Sequence, residues 1–269
     1  MAITSTDQLI AALCNSQHVL FDKSSVSFAT AGRFFSLWRA PGRPGPGAIP
    51  TVPEICTKDT LGALAYANAP PLQTNYMAWL DIATGNANTT LEIHDRLCHL
   101  GGLVADVVTS QAVNLTLVGL PAERIGPDDY SQLQWWLEFY LDTGGGAATA
   151  TVNVTYNDDS SGNISLAIPT FSRASTMYQL LPFAAGKKGI KSVNSVTLSG
   201  TTGTTANFGV TCTHYRAGLY TRAANKAELF DWALLSLPAL ADDACLALVQ
   251  LCTATTTGPC RGVLRFVSG

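Results

Sequence analysis

The densest run of potentially reactive side chains is His94-Asp95-Arg96-Leu97-Cys98-His99. Imidazoles and a thiol four or five residues apart are the raw material of a metal site or a nucleophile–base pair. The spacing argues against both. Thr89 and Glu92 read as a capping box that opens a helix over Leu91–Leu100, with Gly101 placed to end it. On such a helix His94 and His99 diverge, and His94 with Cys98 supplies only two of the four ligands that zinc takes. A helix packed on a sheet, with both rings hydrogen-bonded, accounts for the segment more simply.

Other routes to chemistry close in the same way. Neither G-x-S-x-G nor H-E-x-x-H occurs. Gly186-Lys187-Lys188 looks like the end of a phosphate loop, but that loop would open on Leu181 rather than glycine, and no Ser or Thr follows Lys187. The adjacent acids Asp128-Asp129, Asp158-Asp159 and Asp242-Asp243 mark solvated turns better than calcium sites. Glycosidase carboxylates carry no signature apart from their cleft, so that activity stays open. The seven cysteines (Cys14, Cys56, Cys98, Cys212, Cys245, Cys252 and Cys260) are odd in number and show no C-x-x-C spacing. They read as reduced and mostly buried. No catalytic residue, cofactor-binding residue or metal ligand is assigned, and the expectation is a protein that is not an enzyme.

Composition points elsewhere. With 16 basic and 19 acidic residues, charged side chains make up 13% of the chain, about half the usual share. Ser, Thr, Asn and Gly stand where Lys and Glu normally keep copies apart. Mean hydropathy is +0.19, and no apolar run approaches the roughly 20 residues that span a bilayer. A chain so neutral is expected to hide much of its surface against other protein. The net charge of −3 excludes an extended basic surface for nucleic acid. The first residues lack the basic and apolar regions of a secretory signal, so folding is expected in the compartment of synthesis.

The elements that must position any site are mostly strands. Ala148, Ala150, Val152, Val154 and Tyr156 alternate with polar residues. After Asn157–Gly162 the residues Ile164, Leu166 and Ile168 share a face, which predicts a hairpin. Val113–Leu117, Leu133–Leu141, Ala206–Cys212 and Gly262–Val267 alternate similarly, and Phe34–Trp38 and Tyr76–Ile82 do so more weakly. Ala244–Cys252, apolar on both faces, predicts a central strand. Besides 91–100, short helices are expected after the capping boxes Ser5–Gln8 and Asn225–Glu228. Eight to ten short strands with polar turns predict an all-β fold, a β-sandwich or jelly roll, over residues 59–269. Residues 1–58 hold one short helix, a possible strand and the Pro41–Pro53 run rich in Pro and Gly. They are expected to form an extended N-terminal arm.

Two surfaces are candidates for protein contact. Alternation through Gln134–Leu141 sends Trp135, Leu137 and Phe139 to the core and Trp136 and Tyr140 to the opposite face, flanking Glu138. Large aromatics on an outer face suit a partner, although the 91–100 helix or the N-terminal segment could cover them equally well. Pro41, Pro44 and Pro46 would lie either in a surface loop or in an arm resting on a neighbouring subunit.

The run Gln134-Trp135-Trp136-Leu137-Glu138-Phe139-Tyr140, the Thr/Val hairpin 147–168, and the close through Ala244–Cys252 and Gly262–Gly269 resemble virion structural proteins of tailed bacteriophages. The nearest kind is the capsid decoration or cement protein. The resemblance implies a β-sandwich or jelly roll that clamps a shell, usually as a trimer. Its partners would be the major capsid protein or other virion proteins, with no direct nucleic acid and no membrane. It also implies synthesis in a bacterial host cytoplasm and a final location in the virion. A tail or neck subunit and a carbohydrate-binding host-recognition module are the alternatives.

Overall fold

The computed structural model describes residues 3–26 and 28–269. Along the chain run α1 (Thr6–Cys14), β1 (Gln17–Lys23), β2 (Phe34–Ser36), β3 (Gly42–Arg43), β4 (Glu54–Ile55), β5 (Asn75–Thr84), β6 (Thr89–Val104) and β7 (Gln111–Thr116). Next come α2 (Ala122–Ile125), β8 (Leu133–Phe139), β9 (Ala148–Tyr156), β10 (Ser161–Ile168), β11 (Thr176–Gln179), β12 (Ile190–Leu198) and β13 (Asn207–Thr221). The chain closes with β14 (Glu228–Asp231), α3 (Trp232–Leu235), β15 (Ala239–Leu240), β16 (Leu246–Leu251) and β17 (Cys260–Ser268). The fold is all-β and of the β-sandwich kind.

The hairpin predicted for 148–168 is β9–β10, in continuous antiparallel register from Thr155 opposite Ser161 to Ala148 opposite Ile168. The alternation works as read: Val152, Val154, Tyr156 and Ile164 are buried. β9 and β10 continue through β12 to β7 as a four-stranded sheet. A second sheet runs β14-β5-β17-β1-β3, with β15 also on β5. In the third, β13, β8, β11, β2, β16 and β6 pair in succession and β6 pairs back to β13, so six strands close into a ring, with β4 on the side of β6.

β6 and β13 are long enough to serve two sandwiches. The first half of β6 and the second half of β13 give Leu91, Ile93, Ala217 and Leu219 to a core shared with Phe21, Leu80, Ile82, Leu264 and Phe266 of the second sheet. Their other halves give Leu97, Leu100, Phe208 and Val210 to a core shared with Val152, Val154, Val193 and Val196 of the four-stranded sheet. Each sheet thus buries one face, and the shared strands join the two cores.

Two predicted helices are strands. Leu91–Leu100 lies within β6, because burial on both sides through residues 93–100 leaves no alternation to distinguish strand from helix. Leu229 and Phe230 pair with β5 as β14, and only Trp232–Leu235 turns helical, capped by the Asp231 carboxylate. The Ser5 box does open α1: the Ser5 hydroxyl accepts from the Gln8 N–H, while the Gln8 side chain accepts from Thr4 rather than Ser5. Ala244–Cys252 supplies β16, central between β6 and β2.

The expected separate arm at residues 1–58 is also corrected. β1 pairs with β17 over seven residues, β2 is a stave of the closed ring, and Phe21, Phe35 and Trp38 are buried. Hydrogen-bonded ladders on both sides make the segment part of the domain.

Candidate functional site

The charged residues of the 94–99 segment form the polar centre of the molecule. His94 and Arg96 project from β6 into the ring. There they meet Thr211 and Thr213 of β13, Trp136 and Glu138 of β8, and Tyr140 just beyond β8. Arg96 Nη2 donates to Glu138 Oε2 at 2.6 Å and to Thr211 Oγ at 3.0 Å, and its guanidinium lies 4.6 Å from the Trp38 ring. Thr211 in turn donates to Glu138 Oε2 at 2.6 Å. Burial alone would raise the Glu138 carboxyl, but the Arg96 charge and these hydrogen bonds outweigh it and hold it below its usual range. Burial opposes the Arg96 charge, and the Glu138 carboxylate more than restores it, so Arg96 stays protonated.

The two histidines are held by defined partners. Arg96 Nε donates to His99 Nδ1 at 3.0 Å, leaving His99 Nε2 to donate to Glu54 at 3.3 Å. Burial, then the neighbouring Arg96 charge, pushes the His99 imidazole down to about 2, so it is neutral. Trp136 Nε1 donates to Thr213 Oγ at 2.9 Å, and Thr213 can then donate to His94 Nδ1 while His94 Nε2 donates to Glu92 at 2.8 Å.

Asp95 points the other way, between Ile93 of one core and Leu97 of the other. Arg124 of α2 grips it with two nitrogens at 2.6 and 3.0 Å, the Cys245 N–H adds 2.8 Å, and Arg216 approaches at 3.5 Å. Arg124 also donates to the Cys56 and Arg96 carbonyls. This ion pair therefore sits at the junction of the sandwiches.

The network is built for positioning. Asp95, Arg96 and Glu138 are all buried, leaving no open face where a substrate atom could approach them. Among the described residues, no group of three or more His, Cys, Asp or Glu is placed to hold a metal. All seven cysteines are free thiols and only Cys14 is exposed. No helix among the described residues is long and apolar enough to cross a membrane.

The sequence-predicted contact residues divide. Trp136 and Tyr140 do lie opposite Trp135, Leu137 and Phe139, but they are 1% and 5% exposed. The face opposite the sandwich core is the interior of the closed ring, so both are core residues beyond a partner's reach. Pro41 and Pro46 are exposed and Pro44 is half-buried. Pro41 lines a surface cavity of about 1060 Å³ on the outer face of the second sheet with Leu20, Asp22, Arg261 and Val263. A smaller groove of about 460 Å³ gathers Gln132, Gln134 and Gln179 beside Tyr215 and Phe183. Sequence reasoning missed Asp95, Arg96, Arg124 and Glu138 as a set. The available signal was their placement within apolar strand patterns, where an unpaired charge costs several kcal/mol.

Sandwiches, ring and a buried polar centre define an all-β chain. Among solved structures it is similar to the VP2 subviral particle of infectious bursal disease virus, with 10% identity, 94% of this chain and 80% of that chain covered, and a TM-score of 0.21. It is also similar to T=1 particles derived from the same virus (9% identity, 94% and 77% covered, TM-score 0.20) and to its T13 particle (9% identity, 93% and 77% covered, TM-score 0.19). No protein-family model and no curated protein sequence matches the chain.

Proposed function

We propose that this chain is a non-enzymatic structural protein of a tailed-phage virion, decorating or cementing the capsid as an oligomer, with a trimer the form the resemblance favours. One observation carries the reading. The chain is poor in charge, with 16 basic and 19 acidic residues, and five of these (Lys23, Asp95, Arg96, Arg124 and Glu138) are buried, while Leu20, Val118, Phe171 and Leu234 stand exposed. A surface of that kind suits protein contact. Pro41, which lines the cavity of about 1060 Å³, and Pro46 are exposed and Pro44 is half-buried, and these are the proposed contact residues that remain accessible.

Copy number in gradient-purified virions, measured by quantitative mass spectrometry, tests the reading. A shell component is present in numbers commensurate with the capsid lattice, whereas a tail or neck subunit is present at a single ring's worth. Absence from the particles overturns the proposal.

A second reading, carbohydrate binding, is favoured by the Gln132–Gln134–Gln179 groove, where amides and the half-exposed Tyr215 ring could hold a neutral sugar. Glycan-array binding that is lost in Tyr215→Ala would support it.

A further inference from the structure

The four-stranded sheet ends on β10, which pairs with β9 on one side only among the described residues. In β9, Thr149 accepts from Ser199 and Asn157 donates to Gly189, so the odd-numbered residues face β12 and the even-numbered ones face β10. The ladder to β10 therefore uses Gly162, Ile164, Leu166 and Ile168. Backbone N–H and C=O groups of Ser161, Asn163, Ser165 and Ala167 point outward. Among the described residues no strand, loop or side chain takes them up, and these four residues are exposed.

Sheet edges are normally blunted by charge, proline, shortness or a break in the strand, and the other open edges here are. β7 is broken by Asn114 at φ +50°. β14 is four residues long and carries Glu228 and Asp231. β3 is two residues long and runs into Pro44. β10 has eight residues in unbroken register, with no proline and no charge. The uncharged stretch extends from Ser160 to Ser172. The charges at its ends are already paired at home, Asp158 with Lys187, Asp159 with Lys191 and Arg173 with Asp142.

We propose that β10 pairs antiparallel with β10 of a second copy of this chain across a two-fold axis at Ser165, making one continuous eight-stranded sheet. The strand is self-complementary in that register. Ser165 meets Ser165, and Asn163 meets Ala167 through the outward backbone groups. Ile164 meets Leu166 on the core-facing side, so both apolar faces stay aligned. The proposal deepens the assembly reading and rests on it for its biological setting, because a shell subunit must meet its own copies, but it puts a two-fold contact in place of the trimer that the resemblance favours.

Sedimentation equilibrium of the purified chain should give twice the chain mass. Ser165→Pro removes an outward N–H without touching the β9 ladder, and Ser165→Lys sets like charges together at the axis. Each should weaken self-association by at least about 30-fold, the equivalent of two lost backbone hydrogen bonds, with unchanged melting of the subunit. In a Cys14→Ser background, Ser165→Cys should form a disulfide-linked dimer on mild oxidation, whereas Thr116→Cys on the β7 edge should not. A monomeric wild type overturns the proposal. So does any oligomer, a trimer included, that is indifferent to both Ser165 variants, or cross-linking through position 116 instead. Virion copy number is measured separately, so a β10 dimer absent from particles would refute the virion reading alone, and a virion component with no β10 contact would refute the pairing alone.

Discussion

Replacing Glu138 by Gln keeps the shape of the side chain and removes its charge, leaving the Arg96 guanidinium buried beside a neutral amide. Two unit charges about 4 Å apart attract by about 4 kcal/mol at an effective dielectric of about 20. Severing one partner of a buried pair costs roughly 3–5 kcal/mol. Glu138 Oε2 also accepts from Thr211 and Tyr140, and the amide satisfies those donors less well. We expect Glu138→Gln to lose about 4 kcal/mol in equilibrium urea unfolding followed by tryptophan fluorescence. Trp38, Trp135 and Trp136 are buried reporters of this region. Arg96→Met should cost a similar amount, because it leaves Glu138 unpaired and strips a donor from His99. The double variant Arg96→Met/Glu138→Leu is the decisive measurement. With both charges gone it should lose at least about 2 kcal/mol less than the two single losses added together. A Glu138→Gln loss below about 1 kcal/mol, or strict additivity in the double variant, would refute a charged pair at the centre of the ring.

Three further outcomes follow from the same geometry. Stability should fall with acid below pH 6.5. His99 is held neutral down to about 2, so the unfolded chain binds a proton that the folded chain does not, and at pH 5 the loss approaches about 2 kcal/mol; His99→Gln should flatten that slope in melting scans at pH 5 and 7. Glu138 adds to the fall only below its unfolded value near 4.5, since its folded-state carboxyl titrates lower still. Trp136→Ala should melt the subunit, by about 3–5 kcal/mol in chemical denaturation, because the indole packs on Met177, Val249 and Phe34 and binds Thr213. Deleting Met1–Pro53 removes β1 and β2, and the remainder should give collapsed, dye-binding material without near-ultraviolet dichroism rather than a folded sandwich.

What the sequence made legible follows burial. Strands with one wet face, such as β9 and β10, announce themselves by alternation. β16 announces itself by having no polar face until Gln250. β6 was illegible because residues 93–100 are enclosed on both sides, and its Thr89-x-x-Glu92 start happens to match a helix cap. The alternation at Trp136 and Tyr140 was read with the right parity, but parity does not reveal whether the second face meets solvent or another core. Only long-range pairing decides that, here β13 returning to β6. The ion pairs were hidden for the same reason. Arg96 and Glu138 are 42 residues apart and Asp95 and Arg124 are 29 apart, and nothing local couples them.

The placement of those pairs bears on assembly. A buried ion pair adds little net stability over an apolar one, yet an arrangement that misaligns it leaves a charge stranded. Asp95–Arg124 lies between the two sandwich cores, and Arg96–Glu138 ties β6 to β8 across the ring. Any rotation of one sandwich against the other would have to break at least the first. The orientation of the open β10 edge relative to the Pro41 face is therefore set within the single chain, before any partner arrives. Ordering a flexible subunit at an interface costs affinity, and a subunit fixed in advance avoids that cost. Under the proposed assembly that advantage matters most where contacts are neutral: a subunit poor in charge would find its partners by shape, backbone hydrogen bonds and apolar fit.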